Sequence, residues 1–581
     1  MESLEWNLDE LFESSEAFYA EIDKTKLLLE DIKKYEKVEM NASVLEEVLD
    51  EKWKIKEMSN NILVYGSLRY YKNINDEESI KLKKDAEEFN GEVNTKLMFI
   101  DRMILNLGID KVLLFVDENP KLETYRFSLC NLFRLKKHIM SNEINEKIKN
   151  NNINISEEVS RYNNILRDIK YGYINIDGED ILLTSSNLAK YLSSRDRDVR
   201  KQAYSIVGEA NQKELDGFAD IINKIYGYRI ENASLEEYDS VLEKILFEEN
   251  INSRIINELI KTVNNNLNLA HEYLKIKASL LGVDEAYLYD FNVPFDSNLR
   301  IEYSLDEAKN IILNALSVLG KEYIDVVKLL FDGHIDAVID ENKHQSITFS
   351  WNTYSFMNYR GSYVDLKNMI HEIGHIVNYY LSQKKQPFMY EDSTIFVGET
   401  ASIINEILLN RYLRKNARSK EEEIFYLSKE IENYFTTVFK QTMYTEFEDD
   451  LYNTKRNIEL TKEVLSEKYG NIIRKYYGNV KYEEVDNNGW CRLGHLYRHS
   501  YYPYKYATGL LMASAVCDSL IDKKKLEIAD YINFLSAGSS MYSLDLLKLL
   551  NINLINTDVM QSGFNVMAED IEELKKVLYN K

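Results

Sequence analysis

Cysteine and proline are scarce in this chain of 581 residues, which has three of the first and four of the second. Cys130, Cys491 and Cys517 lie far apart and show no paired spacing, which excludes a disulfide framework and a cysteine-rich metal knuckle. Proline breaks helix interiors, so its scarcity leaves long helices unobstructed.

A net positive charge and long apolar runs are also lacking. Acidic residues exceed basic ones, and the formal net charge is -24. Such a surface repels phosphate backbones, so nucleic acid is not an expected partner. No apolar run approaches the roughly 20 residues needed to span a bilayer. The first residues, MESLEWNLDELF, are acidic and amphipathic, unlike a signal peptide. We therefore expect a cytoplasmic protein with no membrane partner.

What the chain does contain is helical periodicity, with apolar residues three and four apart and charges between them. The segment 335–362, IDAVIDENKHQSITFSWNTYSFMNYRGS, instead mixes β-branched and aromatic residues with turn-formers such as Asn352 and Gly361. There we expect two or three short strands. The sequence predicts a mainly α protein with a small β-ribbon. Its length favours two or more subdomains, or one body divided by a cleft.

The ribbon is followed directly by MIHEIGHIVNYY, residues 369–380, in which His371 and His375 stand one helical turn apart. Residues i and i+4 differ by about 40° around a helix axis, so both imidazoles project from one face and can bind one divalent ion. Glu372 is turned away from that ion but can reach a metal-bound water. Two imidazoles plus a carboxylate suit zinc and leave one position open. The alternative is that these histidines are core residues with satisfied hydrogen bonds.

The third ligand must come from outside this motif. A third histidine, as in HExxHxxGxxH, is excluded because Leu381 occupies that position. Glu399 lies early in a later apolar helix, where a carboxylate has little reason to be buried unless it is paired or ligating. We therefore expect Glu399 to be the third ligand, with Glu391, in the loop before that helix, as its rival.

Two polar residues follow Glu399 on roughly the same helix face. Ser402 and Glu406 could orient the imidazoles of the metal site from behind. For Glu406 a solvated charge or a structural ion pair is an equally good interpretation.

A second cluster of histidine and tyrosine occurs in WCRLGHLYRHSYYPYKYATGLL, residues 490–511. A zinc peptidase needs hydrogen-bond donors for the oxyanion of its tetrahedral intermediate, and these side chains can serve. Our first choices are His495, Tyr497 and Tyr504. The alternatives, on a different helical phase, are His499, Tyr502 and Tyr506. For any single tyrosine, a place in an aromatic core stripe is the competing interpretation.

Three motifs in this order and spacing, HEIGH, FVGETASIINE and YPYKYATG, resemble those of the oligoendopeptidase F family, relatives of thimet oligopeptidase. The resemblance runs from about residue 185 to near the C-terminus. Two departures concern specificity and the tyrosines. The stretch before the histidine motif is shorter and poorer in glycine than is usual for the family, and the segment from His495 to Tyr506 is about one residue longer.

The resemblance implies a two-lobed helical body around a deep channel, with one zinc ion bound by His371, His375 and Glu399. It implies that Glu372 is the general base, and that His495 and the tyrosines after it stabilise the transition state. The substrates would be short unstructured peptides cut at internal bonds. We accordingly predict an N-terminal helical domain at 1–190 and a zinc metallopeptidase domain at 191–581.

Two other functions remain open at this point. A zinc carboxypeptidase or dipeptidase of similar build would need a cation for the substrate's terminal carboxylate, and Arg360, Arg492 and Arg498 are candidates. A non-catalytic peptide-binding relative is the other possibility. The intact HExxH motif with a third ligand argues against it, because lost activity usually shows as an eroded base or ligand. The sequence does not specify the oligomeric state.

Overall fold

The computed structural model describes residues 4–138, 140–294, 299, 301–345, 347–554 and 556–579. Within these residues the α-helices, in chain order, are α1 (Ser15–Asp31), α2 (Ala42–Lys72), α3 (Glu77–Leu107), α4 (Ile109–Glu118), α5 (Arg126–Leu135), α6 (Asn142–Asp168), α7 (Leu188–Leu192), α8 (Arg197–Gln212), α9 (Leu215–Leu235), α10 (Val241–Glu248), α11 (Arg254–Asn265) and α12 (Leu267–Leu280). The second half of the chain adds α13 (Leu305–Leu316), α14 (Gly320–Leu330), α15 (Tyr363–Lys385), α16 (Ile395–Lys415), α17 (Lys420–Tyr434), α18 (Lys440–Lys455), α19 (Lys462–Tyr477), α20 (Gly494–Arg498), α21 (Pro503–Cys517), α22 (Ile528–Leu535), α23 (Ser543–Lys548) and α24 (Thr557–Tyr579).

The helices belong to two compact units that alternate along the chain. The first consists of Met1–Ile139, Ile301–Leu409 and Lys525–Asn551. The second consists of Met140–Arg300, Asn410–Lys524 and Ile552–Lys581. The predicted boundary near residue 190 coincides with none of these changes of unit, and it stays a prediction about where the catalytic part of the chain begins.

The first unit contains a three-stranded sheet beside the HExxH helix. Its strands are β3 (Ile335–Asp336), β4 (Phe349–Trp351) and β5 (Tyr354–Phe356), in the order β3-β5-β4. β4 and β5 form a hairpin in which Asn352 adopts a left-handed φ of 52°. β3 pairs parallel to β5, with Ile335 opposite Ser355. This confirms the short strands predicted for 335–362.

Aromatic packing fixes the sheet to the N-terminal helices of the same unit. The indole N–H of Trp6 donates to the carbonyl of Ser355 at 2.8 Å, and its ring lies 5.3 Å from that of Phe356. Phe356 is fully buried in a core built largely from α1, α2 and α3. The sheet therefore has one face in the core, and β4 and β5 also contact α15.

The second unit contains a hairpin that the sequence analysis missed. β1 (Gly172–Ile176) pairs antiparallel with β2 (Glu179–Leu183). Asp177 and Gly178 join the strands with φ of 53° and 87°, both in the left-handed region. An Asp-Gly pair between alternating apolar residues is a hairpin signal, so the sequence did carry the information.

The fold class is as predicted: mainly α, with a small β-ribbon next to the HExxH helix. No helix among the described residues is long and apolar enough to cross a membrane. The predicted substrate channel remains a prediction.

Candidate active site

The helix that carries the two histidines, α15, begins at a strongly specified cap. Gly361 has a φ of 87°, and a Cβ there would lie 3.0 Å from the carbonyl oxygen of Tyr303. Ser362 then forms a capping box with Asp365: the amide of Asp365 donates to Ser362 Oγ at 3.2 Å, and the amide of Ser362 donates to Asp365 at 3.0 Å. The cap fixes where α15 starts, and with it the direction in which the histidines point.

The two histidines meet at their Nε2 atoms. His371 Nε2 and His375 Nε2 are 3.2 Å apart. Burial and the neighbouring His371 lower the pKa of His375 to about 3. The imidazole of His375 is therefore neutral, which is the form that binds metal ions.

Glu399 reaches the histidines from α16. Its Oε2 lies 3.9 Å from His371 Nε2. Burial raises the pKa of Glu399, against the effect of His371. Ligand atoms of His371, His375 and Glu399 all lie within 4.8 Å of one another. The structure thus brings the three predicted ligands together.

One glycine, Gly374, allows α15 and α16 to approach closely enough for this. A Cβ at Gly374 would lie 2.5 Å from the Cα of Ser402. A Cβ at Gly398 would lie 3.4 Å from His375 Nδ1. The first distance is too short for a real Cβ, whereas the second is an ordinary van der Waals contact. The glycine inside HEIGH therefore allows the contact between the two helices that carry the predicted ligands.

Behind the candidate metal site, Glu406 binds the far nitrogen of His371. His371 Nδ1 and Glu406 Oε1 are 2.7 Å apart, and Lys367 Nζ lies 2.9 Å from the other oxygen of Glu406. Burial alone would raise the pKa of Glu406, but Lys367 and His371 together lower it to about 2. In turn Glu406 raises the pKa of His371 to about 9, against the effect of burial. Glu406 is thus an anion whose side chain is only 12% exposed, which fixes the orientation of His371, and it is not a solvated charge.

Ser402, the other residue expected behind the site, contributes differently. Its hydroxyl donates to the carbonyl of Gly398 within its own helix at 3.2 Å, and its backbone is what Gly374 approaches. Its part in the site is close helix packing.

Glu372 lies against the sheet and is only 8% exposed. Burial raises its pKa, and a hydrogen bond from Ser350 on β4 partly opposes that rise. A carboxylate with a raised pKa, one residue from a metal ligand, has the properties of a general base.

Glu391, the rival for third ligand, has a different partner. It is buried and accepts a hydrogen bond from the hydroxyl of Tyr379 at 3.0 Å. Among the described residues it does not join the cluster of possible ligands. Glu399 therefore remains the predicted third ligand.

In the second unit, the segment 495–506 separates its tyrosines into two groups. The rings of His495, Tyr502 and Tyr506 form a half-buried cluster, with centroids 6.1 Å apart for His495–Tyr502 and for His495–Tyr506, and 5.3 Å for Tyr502–Tyr506. His499 joins it with its centroid 5.6 Å from that of Tyr502. The cluster thus contains one of the first-choice oxyanion donors, His495, and all three residues that the sequence analysis gave as alternatives.

Tyr497 and Tyr504 are placed elsewhere, each with a relative exposure of 0%. The ring of Tyr497 stacks on that of Tyr162 with centroids 3.8 Å apart. The hydroxyl of Tyr504 donates to Glu249 at 3.3 Å. Both tyrosines serve the packing of the second unit, and any role in catalysis stays a prediction that this burial disfavours.

The arrangement of the three ligands can be tested against a metal ion. With metal–nitrogen distances of about 2.0–2.1 Å, tetrahedral ligation places two nitrogens roughly 3.3 Å apart. The observed 3.2 Å between the two Nε2 atoms agrees with that value. The half-buried Glu399 carboxylate supplies an oxygen ligand, and Nδ1 of His371 is held by Glu406, as is usual for a metal-binding histidine. The residues present therefore fit one divalent ion.

The model of Peptidase family M3 matches residues 190–566, which is more than half of the chain. The chain belongs to peptidase family M3.

Similar proteins agree with that assignment over nearly the whole chain. Oligopeptidase PepF of Bacillus subtilis is 27% identical over 584 residues, covering 99% of this chain and 87% of that protein. An oligoendopeptidase F homolog of Borreliella burgdorferi is 28% identical over 590 residues, covering 99% and 98%.

Solved structures show the same fold. A proposed peptidase from Chlamydophila abortus matches with a TM-score of 0.91 at 26% identity, covering 98% of both chains. The oligoendopeptidase-F structure from Enterococcus faecium matches with a TM-score of 0.72 at 23% identity, covering 97% of this chain and 99% of that one.

These findings confirm the resemblance to oligoendopeptidase F and the prediction of a metallo-oligopeptidase enzyme. In this M3 peptidase the sequence analysis overlooked Lys367, the partner of Glu406, and Ser350, the partner of Glu372. Lys367 precedes His371 by one helical turn, and this spacing could have indicated that both side chains lie on the same face of α15. For Ser350 no local pattern pointed to Glu372, since that contact depends on how β4 packs on α15.

Proposed function

We propose that this M3 peptidase is a zinc metallo-endopeptidase that cuts internal bonds of short, unstructured oligopeptides. One zinc ion would be held by His371, His375 and Glu399. The observation that carries the proposal is the 3.2 Å approach of the two Nε2 atoms beside Glu399, with the buried Glu372 one residue from His371. The cytoplasmic location predicted from the sequence stays a prediction.

When bound, zinc would supply a Lewis acid for the scissile carbonyl and a water of lowered pKa. Glu372 would take a proton from that water onto a carboxylate oxygen and deliver it to the leaving amine. Its raised pKa makes it a better base than an exposed glutamate, and the hydrogen bond from Ser350 orients it. Glu406 would keep the proton on His371 Nδ1, so that Nε2 stays available for the metal.

The substrate would bind along β4. Among the described residues this strand pairs only with β5, so its other edge has backbone groups available for an extended peptide. Such pairing uses main-chain hydrogen bonds and is independent of side-chain identity, which suits substrates of varied sequence. Ser350, on the same strand, also contacts the general base.

For the oxyanion donors we propose His495, Tyr502 and Tyr506. The support is their half-buried ring cluster, in contrast to the complete burial of Tyr497 and Tyr504. A donor to a substrate must be reachable by it, and the fully buried hydroxyls are not.

The test is cleavage of a decapeptide blocked at both ends, read by mass spectrometry with and without a chelator. Blocking removes the termini that an exopeptidase requires. We expect internal cleavage that stops with chelator and returns with zinc. Cleavage of only the unblocked peptide would favour the carboxypeptidase or dipeptidase alternative, and inertness toward both would favour a peptide-binding protein.

Glu372→Gln serves as the matched control in that assay. It should lower kcat by about 100- to 10,000-fold while the protein keeps its zinc, as measured by elemental analysis. A zinc-loaded and active variant would contradict the assignment of the base.

A further inference from the structure

The segment that carries His495, Tyr502 and Tyr506 consists of a helix of five residues and the start of a helix of 15 residues, joined by a strained turn. α20 ends at Arg498, α21 begins at Pro503, and Tyr501 between them has a φ of 50°. A non-glycine residue in the left-handed region costs about 1–2 kcal/mol, so the surrounding structure must hold it. The relative position of the His495 and Tyr506 rings depends on this turn.

On the α20 side, Arg229 of α9 holds the backbone. Its guanidinium donates to the carbonyls of Leu496 and Tyr497 at 3.1 Å and 3.0 Å. These are carbonyls of the last turn of a five-residue helix, which lack partners within it. One planar side chain with two parallel donors therefore fixes the end of the helix that carries His495.

On the α21 side, Glu448 of α18 holds the strained residue itself. The amide of Tyr501 donates to Glu448 Oε1 at 3.0 Å, and the Glu448 side chain is fully buried. This hydrogen bond is available only when Tyr501 turns its amide toward α18. Tyr452 connects Arg229 to the turn. Its hydroxyl lies 2.8 Å from Ser500 Oγ and accepts a hydrogen bond from Arg229 at 3.5 Å.

The side chain of Tyr501 is held as well. Its ring stacks on that of Tyr452, 5.3 Å between centroids, and its hydroxyl donates to Asp449 at 2.9 Å. The backbone of 496–501 is thus bound at three carbonyl or amide positions from two different helices, whereas the faces of His495, Tyr502 and Tyr506 are left half-buried.

We propose that Arg229 and Glu448 are positioning residues. By hydrogen bonding to the backbone of the 496–501 turn, they set the spacing between His495 and the two tyrosines, Tyr502 and Tyr506. The effect on catalysis that we expect rests on the proposed function. The hydrogen bonds from Arg229 and Glu448 to the turn lie within the second unit and do not depend on that function. A displacement of about 1 Å at such a site can cost 100-fold in rate, so small changes here should be visible in kcat.

The charge state of Glu448 allows one variant that keeps the hydrogen-bond acceptor and another that removes it. Burial raises its pKa to about 8, against the effects of the Tyr501 amide and Arg229 and with that of Asp449. Near neutral pH glutamine is therefore a close mimic that keeps a carbonyl acceptor. Glu448→Leu keeps similar bulk and removes the acceptor.

The experiment measures kcat and KM on the blocked peptide, together with backbone amide hydrogen exchange over 495–502. For Glu448→Leu we expect a kcat about 10- to 100-fold lower, a KM within about 3-fold and faster exchange at Tyr501. Glu448→Gln should restore kcat to within about 3-fold of the wild type. Arg229→Met should behave like Glu448→Leu, and it replaces that variant if Glu448→Leu does not fold.

Tyr434→Phe is the matched control, since it removes a buried hydrogen bond of 2.6 Å to Ser514 in the same unit but away from the turn. It should leave kcat unchanged. Wild-type kcat in Glu448→Leu, or an equal loss in Tyr434→Phe, would overturn the proposal. If the wild type cleaves no peptide, the proposed function fails, and hydrogen exchange alone tests the positioning role. Unchanged exchange at Tyr501 in Glu448→Leu would then contradict that role, and faster exchange would support it.

Discussion

His371 and Glu406 are joined by a 2.7 Å contact between Nδ1 and Oε1, and the same carboxylate is paired with Lys367. The histidine that we propose to bind the metal is thus fixed from behind by a largely buried anion that carries its own counter-charge. We therefore expect Glu406 to affect metal affinity through His371, although it is not one of the three proposed ligands.

We predict that Glu406→Gln lowers metal affinity by roughly 10- to 100-fold, the usual cost of losing a partner behind a metal ligand. Glutamine can still accept from Nδ1, so the loss reflects charge, and Glu406→Leu should cost more. Competition with a chromogenic chelator measures both. Equal affinity of all three proteins would show that Glu406 supports only the fold.

Glu399→Gln should lower metal affinity by more than about 100-fold, because it changes a proposed ligand and not a supporting residue. Glu391→Gln, at the rival carboxylate, should leave the metal content at one ion per chain. Elemental analysis after dialysis separates the two. Loss of metal only in Glu391→Gln would exchange their roles.

Gly374→Ala should destabilise the protein by about 1–3 kcal/mol and lower its metal content, because the added methyl would overlap the backbone of Ser402. Gly91→Ala is the control: it lies in α3 of the same unit, and a Cβ there meets no heavy atom within 4 Å. That change should be stabilising by about 0.5–1 kcal/mol. Urea unfolding compares them, and an equally stable Gly374→Ala would contradict the close approach of the two helices.

Tyr506→Phe should lower kcat by about 10- to 1000-fold if its hydroxyl donates to the oxyanion. Tyr497→Phe should leave kcat unchanged and be neutral or stabilising. Its buried hydroxyl has no hydrogen-bond partner among the described residues, so nothing favourable is lost. The reverse pattern in a steady-state assay would restore Tyr497 as the donor.

Stability should fall with rising pH because of Glu391. Burial raises its pKa to about 7, against the hydrogen bond from Tyr379 and with the charges of Glu57 and Asp392. A carboxyl whose pKa is higher in the folded protein stabilises it fully below the unfolded value of about 4.5 and loses that contribution as the pH rises through 7. Glu391→Gln should remove this dependence.

The measurement is the free energy of unfolding of the wild type and Glu391→Gln at pH 5 and pH 8. The variant should gain about 2–3 kcal/mol relative to the wild type between the two values. Glu341→Gln, at an exposed carboxyl, controls for the substitution itself. A constant difference between wild type and Glu391→Gln would contradict the raised pKa.

The sequence by itself determined the parts of the site that depend on one helix. His371 and His375 share a face because four residues are close to one helical turn, and that holds wherever the helix is placed. The mainly helical fold and the short strands before the motif follow from periodicity in the same way. The missed hairpin at 172–183 also had a local signal, the Asp177–Gly178 turn.

The tertiary structure alone decided which groups from different elements meet. Glu399 was favoured over Glu391 by burial arguments, but its approach depends on Gly374 passing the backbone of Ser402. The pairing of Glu406 with Lys367 and the burial of Tyr497 and Tyr504 likewise depend on contacts between helices. Helical phase says which residues share a face but not which face is covered, because covering is set by packing against residues distant in the chain.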